Sequence, residues 1–400
     1  MLTLDKVYDA QRTLKDNIRK TDLIYAPALS ENSQIYLKAE NLQTTGSFKV
    51  RGAYYKISQL SDEQKSRGII ACSAGNHAQG VALSAQKHNI KSAIFIPSTA
   101  PISKIEATRK YGAEIKLIDG VYDDAYNAAI EYQKETQGEF IHPFDDVDVI
   151  AGQGTIALEL MEQLSDMEAV IVPIGGGGLI SGVAYTIKML NPKCKVFGVQ
   201  ANGAPSMFNS RKLKKRIELE SVSTFADGTA VKLPGENTFD LCQKYVDEIV
   251  TVSEDEIATA VLALIEKQKL IAEGAGALSV AAAMFGKLPI EGKKTICLVS
   301  GGNIDVNILS RVINRGLMKT GRLSDLTVEL LDKPGQLRDV SEIISSHGAN
   351  VIRVRHNQGG KGTEINECYL SVTMETKNEE HLKEIRNTFI QKGYRIISSL

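Results

Sequence analysis

Eight short apolar segments alternate with helical patterns between residues 35 and about 310, and this alternation restricts the chain to one class of fold. The segments are rich in Val and Ile and cover residues 35–39, 69–72, 93–96, 115–118, 169–173, 196–200, 249–252 and 295–299. Between them, stretches such as 123–135 and 254–269 carry apolar residues at helical spacing. Near-continuous apolar strands joined by helices predict an α/β fold with parallel sheets that are covered on both faces.

The C-terminal part of the chain follows a different pattern after Arg315. Alternating apolar residues predict a strand at 326–330, and a turn at 332–335 leads into an amphipathic helix. Two further strands, joined by a turn at Gly359-Gly360, precede a second helix and a last strand at 394–398. This β-α-β-β-α-β order predicts a ferredoxin-like module.

Composition narrows the class of protein. Forty-seven Lys and Arg residues balance 48 Asp and Glu residues, so the net charge of −1 argues against a nucleic-acid or membrane-surface binder. Five cysteines without CxxC spacing form neither a disulfide framework nor a zinc motif. The N-terminus has no apolar signal region, and no run of about 18 apolar residues occurs. We therefore expect a cytoplasmic protein.

A glycine run stands where the strand at 169–173 passes into a predicted helix, and it comprises Gly175, Gly176, Gly177 and Gly178, followed by Leu179. Glycines let successive backbone N–H groups converge on an anion, and the helix N-terminus adds positive potential. The run is neither a P-loop nor a GxGxxG fingerprint. It predicts a phosphate cradle, with a tight, close-packed turn as the alternative.

Lys49 lies between the apolar residues Phe48 and Val50, near the start of a predicted helix. Burial lowers the pKa of a lysine and leaves its amine free for Schiff-base chemistry. The alternative is a lysine that extends its ammonium group to solvent.

Two more strand ends carry small or polar residues. Ser73, Ala74, Gly75 and Asn76 follow the strand at 69–72 and could hold a carboxylate, with a capped helix start as the alternative. Ser300 follows the strand at 295–299 and brings a hydroxyl to a strand end. A desolvated lysine, a phosphate cradle, a carboxylate loop and a neutral hydroxyl together predict pyridoxal 5′-phosphate acting on an amino acid.

The strings SFKVRGA, SAGNHAQG, GGGGL and SGGN, in this order, resemble the threonine/serine dehydratases (ammonia-lyases) among the fold type II pyridoxal-phosphate enzymes. The resemblance covers residues from about 5 to 315. It implies a two-lobed core, similar to the tryptophan synthase β subunit, over residues 1–320, with a smaller lobe of roughly residues 46–145 inserted in the larger one. Residues 325–400 resemble an ACT regulatory domain, and we expect the linker at 318–324.

The resemblance also implies roles for single residues. Lys49 would bind the cofactor covalently and remove the Cα proton of the substrate, and Phe48 would pack beside the cofactor ring. Asn76 would hydrogen-bond the ring hydroxyl, and Ser300 would face the ring nitrogen. The backbone of residues 175–179 would bind the phosphate, and residues 73–76 would bind the substrate carboxylate.

The implied reaction is deamination of L-threonine to 2-oxobutanoate and ammonia, with weaker activity on L-serine. Serine racemases, the main alternative with other fold type II enzymes, carry a catalytic serine where this chain has Ala74. Their divalent-metal ligands fall on Gln200, Ala204 and Ser206, none of which is a carboxylate. We therefore expect no Mg²⁺ or Ca²⁺ site and no metal ligand among these residues, with a bound monovalent cation as the alternative. An amino-acid sensor with a vestigial enzyme core is a further alternative.

An amino-acid or nucleotide effector is expected at the ACT domain, although this domain could instead serve only to hold an oligomer together. The expected contacts are Pro334, Gly335, Gln336, Leu337, Asn350 and Val351. We also expect a homo-oligomer, either a dimer or a tetramer. A role in isoleucine biosynthesis and a role in threonine catabolism both remain open.

Overall fold

The computed structural model describes residues 1–358 and 366–399. Its contacts divide the chain into two compact units, Met1–Ile308 and Leu309–Leu400. The predicted fold class is confirmed, because the first unit holds two sheets of mainly parallel strands and the second holds one antiparallel sheet. The predicted turn at Gly359-Gly360 lies outside the described residues. No helix in the described ranges is long and apolar enough to cross a membrane.

The first unit contains a six-stranded sheet of order β1-β2-β10-β7-β8-β9 and a four-stranded sheet of order β5-β4-β3-β6. All neighbours in these sheets are parallel except the pair β1 and β2. The strands are β1 Leu23–Tyr25, β2 Gln34–Ala39, β3 Ile69–Cys72, β4 Ser92–Pro97, β5 Glu114–Ile118, β6 Glu139–Phe140, β7 Ala169–Pro173, β8 Lys195–Ala201, β9 Glu248–Val252 and β10 Lys294–Val299.

Helices cover these sheets and also pack in the second unit. They are α1 Leu4–Leu14, α2 Lys49–Ser58, α3 Asp62–Arg67, α4 Asn76–Lys87, α5 Ile102–Arg109, α6 Tyr122–Thr136, α7 Val147–Gln163, α8 Gly178–Leu190, α9 Ser206–Lys212, α10 Glu236–Tyr245, α11 Glu254–Ala263, α12 Gly274–Met284, α13 Val306–Lys319, α14 Gln336–Ser346 and α15 Glu379–Gln391.

The second unit has the strand order β12-β13-β11-β14 in an antiparallel sheet. These strands are β11 Leu323–Leu331, β12 Asn350–Gln358, β13 Glu367–Glu375 and β14 Arg395–Ser399. With α14 and α15 they give the predicted β-α-β-β-α-β order. Apolar side chains on one face of β11 and β13 pack with residues of both helices, including Val340, Ile344 and Phe389.

Three local features differ from the sequence prediction. The strands β1 and β6 were not predicted, because two or three residues are too few to show a period. The helix predicted at 254–269 divides into α11 and a π-helical segment, Leu264–Gln268. The expected polar linker at 318–324 forms the end of α13 and the start of β11, and the division between the units falls at Ile308.

Helix α2 is held in place by close packing and by buried charge. A Cβ atom on Gly152 of α7 would lie 2.6 Å from the Cα of Gly52 of α2, so the two helices meet at glycines. The guanidinium of Arg51 is buried, and it donates to Glu40 at 2.8 Å and to Glu159 at 2.6 Å. Lys38 donates to the same Glu159 at 2.5 Å. This network links α2 to α7 and to the end of β2.

Candidate active site

A cavity of about 850 Å³ lies in the first unit, beside the carboxyl ends of β3, β7 and β10. Parallel sheets place their ligand sites at this edge, because strand-to-helix loops meet there. The cavity is lined by every residue predicted to bind cofactor or substrate: Phe48, Lys49, Ser73, Ala74, Gly75, Asn76, Gly175, Gly176, Gly177, Gly178, Leu179 and Ser300. The structure therefore brings all four motifs to one place.

Lys49 is the first residue of α2, and its Nζ donates to the carbonyl oxygen of Pro143 at 2.8 Å. Desolvation lowers the pKa of Lys49 to about 8, and the nearby carboxylate of Glu273 opposes part of this effect. The Phe48 N–H donates to the Ser300 carbonyl at 3.1 Å, which ties the lysine segment to the end of β10. The lowered pKa increases the unprotonated fraction of the amine near neutral pH, and the unprotonated amine is the form that makes a Schiff base.

The glycine run is enclosed so tightly that side chains would not fit. A Cβ atom on Gly176 would lie 2.5 Å from the Phe144 ring, and one on Gly178 would lie 2.8 Å from the Phe144 carbonyl oxygen. Gly177 has φ +99°, which disfavours other residues, and Thr238 donates to the Gly176 carbonyl at 2.6 Å. Helix α8 begins at Gly178, so the loop lies at a helix N-terminus. Both features suit an anion held by backbone N–H groups.

The loop after β3 leaves room beside its backbone. The Gly75 N–H donates to Ser73 Oγ at 3.1 Å, and a Cβ atom on Gly75 would meet no atom within 4 Å. Ala74 lines the cavity with only a methyl group. The loop can therefore accept a small polar group, and Ala74 itself can neither donate nor accept a proton.

Asn76 lies at the centre of a polar chain. Its Nδ2 donates to Glu273 Oε1 at 2.6 Å, while its Oδ1 accepts from Asn303 at 2.7 Å. Burial raises the pKa of Glu273 to about 7, the negative charge of Asp227 adds to this effect, and the Asn76 hydrogen bond opposes it. A carboxyl group that changes charge near neutrality therefore lies on the cavity wall.

Several lining residues were not assigned roles from the sequence. They include Asp227, Glu273, Lys104, Phe144 and Asn303. Lys104 of α5 forms an ion pair with Asp227, and both residues line the cavity. Of Lys104, Phe144 and Asn303, only Asn303 lies in a motif that was recognised from the sequence, the SGGN string.

Two titratable neighbours of the cavity are held in their neutral forms. His77 is buried, its Nε2 lies 2.8 Å from the Ile141 carbonyl oxygen, and desolvation lowers its pKa to about 3. Burial raises the pKa of the Cys72 thiol to about 12. Neither group is a general base or a nucleophile near neutral pH.

The residues expected to contact an effector lie at two places in the second unit. Gly335, Gln336 and Leu337 line a cavity of about 210 Å³, next to Pro334 in the chain. Asn350 and Val351 pair with Glu375 and Met374 instead, at the opposite end of β12 from that cavity. Within one chain, the structure does not bring the two groups together.

Comparison with known proteins is consistent with this geometry. Residues 14–302 match the family described as pyridoxal-phosphate dependent enzyme. The chain is 50% identical over 398 residues to an L-threonine ammonia-lyase of Thermotoga maritima, with 99% of each chain covered. A processed threonine deaminase isoform 2 of Solanum lycopersicum has a TM-score of 0.74 at 39% identity, covering 78% of this chain and 87% of its own. Maize serine racemase has a TM-score of 0.75 at 34% identity, covering 79% of this chain and 98% of its own.

The residues present fit pyridoxal 5′-phosphate. The cradle at 175–178 has no space for Cβ atoms at Gly176 or Gly178, and its N–H groups suit a phosphate. Lys49 supplies an amine of lowered pKa, and the buried Oε1 of Gln153, also on the cavity wall, has no hydrogen-bond partner among the described residues. The cavity thus offers a site for an anion and a buried oxygen, Gln153 Oε1, to which a ligand can donate a hydrogen bond.

Proposed function

Since the chain belongs to the family of pyridoxal-phosphate dependent enzymes, we propose that it deaminates L-threonine to 2-oxobutanoate and ammonia, with weaker activity on L-serine. The observation that carries this proposal is the shared cavity of Lys49, the cradle at 175–178 and the loop at 73–76. The full-length similarity to an L-threonine ammonia-lyase supports the choice of substrate.

In this proposal, Lys49 holds the cofactor and the backbone of residues 175–179 binds its phosphate. Bound pyridoxal phosphate supplies an electron sink that makes the Cα proton of an amino acid acidic. Residues 73–76 would hold the substrate carboxylate, and the Lys49 amine would accept the Cα proton. In the net balance, the proton lost from Cα and the departing β-hydroxyl together form one water, and hydrolysis of the released imine consumes one water and yields ammonia. No oxidant or reductant is needed.

Ser300 and Glu273, which both line the cavity, would influence the protonation of the cofactor ring in this arrangement. Ser300 presents a neutral hydroxyl where an aspartate would hold a proton on the ring nitrogen. A weaker electron sink favours loss of the β-hydroxyl over transamination. Glu273 acts through Asn76, because the amide that contacts Glu273 is the one proposed to contact the ring hydroxyl.

Serine racemisation is the second candidate, and the likeness to maize serine racemase supports the shared fold. Racemisation needs a proton donor on each face of Cα, and the methyl group of Ala74 cannot supply one. This residue therefore favours elimination over racemisation.

The C-terminal unit, in our proposal, is an ACT domain that regulates the enzyme through an amino-acid or nucleotide effector within a homo-oligomer. We further propose a cytoplasmic location, since all five cysteines are free and buried. A reducing compartment is the usual place for such a set.

Turnover of L-threonine by the purified protein tests the activity. We expect release of a 2-oxo acid and a visible Schiff-base absorption band, both of which Lys49→Ala abolishes. Lys91→Ala, which changes an exposed lysine before β4, is the matched control and should retain both. Turnover by the Lys49→Ala protein, or a wild-type protein with no 2-oxo acid release, would contradict the proposal.

A further inference from the structure

Three side chains of the second unit bring an oxygen, a nitrogen and a sulfur ligand together. Asp332 follows β11, His356 lies in β12, and Cys368 lies in β13. Their carboxylate, imidazole and thiol ligand atoms all lie within 4.8 Å of one another. We propose that these residues form a binding site for Zn²⁺ or a chemically similar divalent transition metal.

Strand pairing creates this juxtaposition. Strand β13 lies between β11 and β12, and Cys368 pairs with Leu330 on one side and with Gln358 on the other. The Asp332 N–H donates to the Asn366 carbonyl at 2.8 Å, which holds the residue after β11 beside β13. The backbone therefore fixes the three ligands at one end of the sheet.

The spacing is close to that of a bound metal. Zinc bonds of about 2.0–2.3 Å in tetrahedral geometry place ligand atoms about 3.3–3.8 Å apart. Asp332 and His356 are exposed, so rotation of their side chains can close the remaining gap, while Cys368 is buried and fixed. Only the exposed side chains of Asp332 and His356 have to rotate to reach the spacing of a bound metal.

The carboxylate of Asp332 already has an orienting partner. Gln358 Nε2 donates to Asp332 Oδ2 at 2.7 Å, and among the described residues no side-chain hydrogen bond engages Oδ1. Ligands of metal sites are commonly oriented by such hydrogen bonds. Gln358 is therefore a positioning residue in this proposal.

The donor set selects the metal. One carboxylate with an imidazole and a thiolate suits zinc and its neighbours, whereas Mg²⁺ and Ca²⁺ prefer oxygen ligands alone. On binding, the Cys368 thiol releases its proton to solvent and its sulfur electron pair forms the metal bond. The three ligands also line the 210 Å³ cavity, so a fourth coordination position opens into it. Lys333 lines this cavity too, but it is exposed and can turn its charge to solvent.

Metal content of the untagged holoenzyme tests the site. After equilibration with ZnCl₂ and dialysis, we expect one tightly held Zn²⁺ per chain. Replacement by Co²⁺ should produce a thiolate-to-cobalt charge-transfer band in the near ultraviolet. His356→Asn changes an exposed residue and should remove both signals, and Cys368→Ser should remove the band. Gln358→Ala should weaken Zn²⁺ binding by about 10–100-fold.

Asp325→Asn is the matched control, because Asp325 lies on β11 between Ser324 and Leu326, both of which are buried on the opposite face. The Asp325→Asn variant should retain both the bound Zn²⁺ and the cobalt charge-transfer band. Wild-type protein that holds no stoichiometric Zn²⁺, or a His356→Asn variant with unchanged Zn²⁺ affinity and cobalt band, would overturn the proposal. The site shares no residue with the catalytic cavity, so metal content and threonine turnover report on the two proposals separately.

Discussion

Asn76 Nδ2 donates to Glu273 Oε1 at 2.6 Å, and this bond joins two residues that are 197 positions apart in the chain. Asn76 begins α4, next to the four-stranded sheet, while Glu273 immediately precedes α12, which packs on the six-stranded sheet. Lys49 lies near enough to Glu273 for each to alter the other's pKa. The charge of Glu273 is therefore coupled to the reactivity of the lysine.

The pH dependence of cofactor uptake should follow the Lys49 amine. Only the unprotonated amine forms a Schiff base, so the rate with which the apo-protein binds pyridoxal phosphate should rise with pH and level off above about 8. Glu273→Gln removes a carboxylate that stabilises the protonated amine, and should move this midpoint to lower pH. Stopped-flow absorbance measures the rate. A midpoint near the ordinary lysine value of 10.5 would contradict the assignment.

Gly176→Ala should weaken cofactor binding. Its Cβ atom would lie 2.5 Å from the Phe144 ring, and the resulting overpacking should cost about 1–3 kcal/mol, or roughly 5–150-fold in affinity. Gly75→Ala is the control, because its Cβ atom meets nothing within 4 Å. Titration of the apo-proteins with pyridoxal phosphate compares them, and equal affinities would mean that the cradle does not bind the phosphate.

Ala74→Ser should introduce racemisation. The new hydroxyl would supply a proton donor on the face of Cα where the native protein has none. Formation of D-serine from L-serine should rise while threonine elimination persists, and chiral chromatography measures both products. Ala74→Gly adds no proton donor and should not racemise. D-serine formation that is equal in both variants would contradict this role.

Arg51→Met should destabilise the first unit strongly. The change removes the ion pair of Glu40, which among the described residues keeps only the Thr21 hydroxyl as a donor, and one of the two cations paired with Glu159. Loss of one partner from a buried ion pair costs about 3–5 kcal/mol. Arg12→Met breaks an exposed pair with Asp9 and should change the free energy of unfolding by at most about 1 kcal/mol. Urea denaturation compares the two. A similar small change for both would show that the buried network contributes little.

Truncation after Thr320 should separate catalysis from regulation. It removes β11 and everything after it while α13 stays, so threonine turnover should persist because every lining residue of the 850 Å³ cavity is retained. Any response to isoleucine or AMP that the full chain shows should disappear. Turnover titrated with each compound provides the measurement, and a truncated protein that keeps the full response would refute a regulatory role for the C-terminal unit.

Local patterns allowed most of the architecture to be predicted. The parallel strands were visible because each is a short, apolar run, and the motifs at 73–76, 175–179 and 300 were visible because each follows such a run. Glu273 was harder to assign, since an acidic residue before an Ala- and Gly-rich helix resembles an ordinary helix start. Its function depends on burial and on Asn76, neither of which is a local property.

The sequence by itself determined the order of elements, the two-part organisation and the family resemblance, because periodicity, turn residues and contiguous motifs are encoded locally. Only the tertiary structure decided which distant groups share an environment. Packing around α2 buries Arg51 with its carboxylates, sheet pairing brings Asp332, His356 and Cys368 together, and desolvation moves the pKa values of Lys49 and Glu273 toward neutrality. Distance and dielectric environment arise only when the chain folds, and these two quantities set the chemistry of the site.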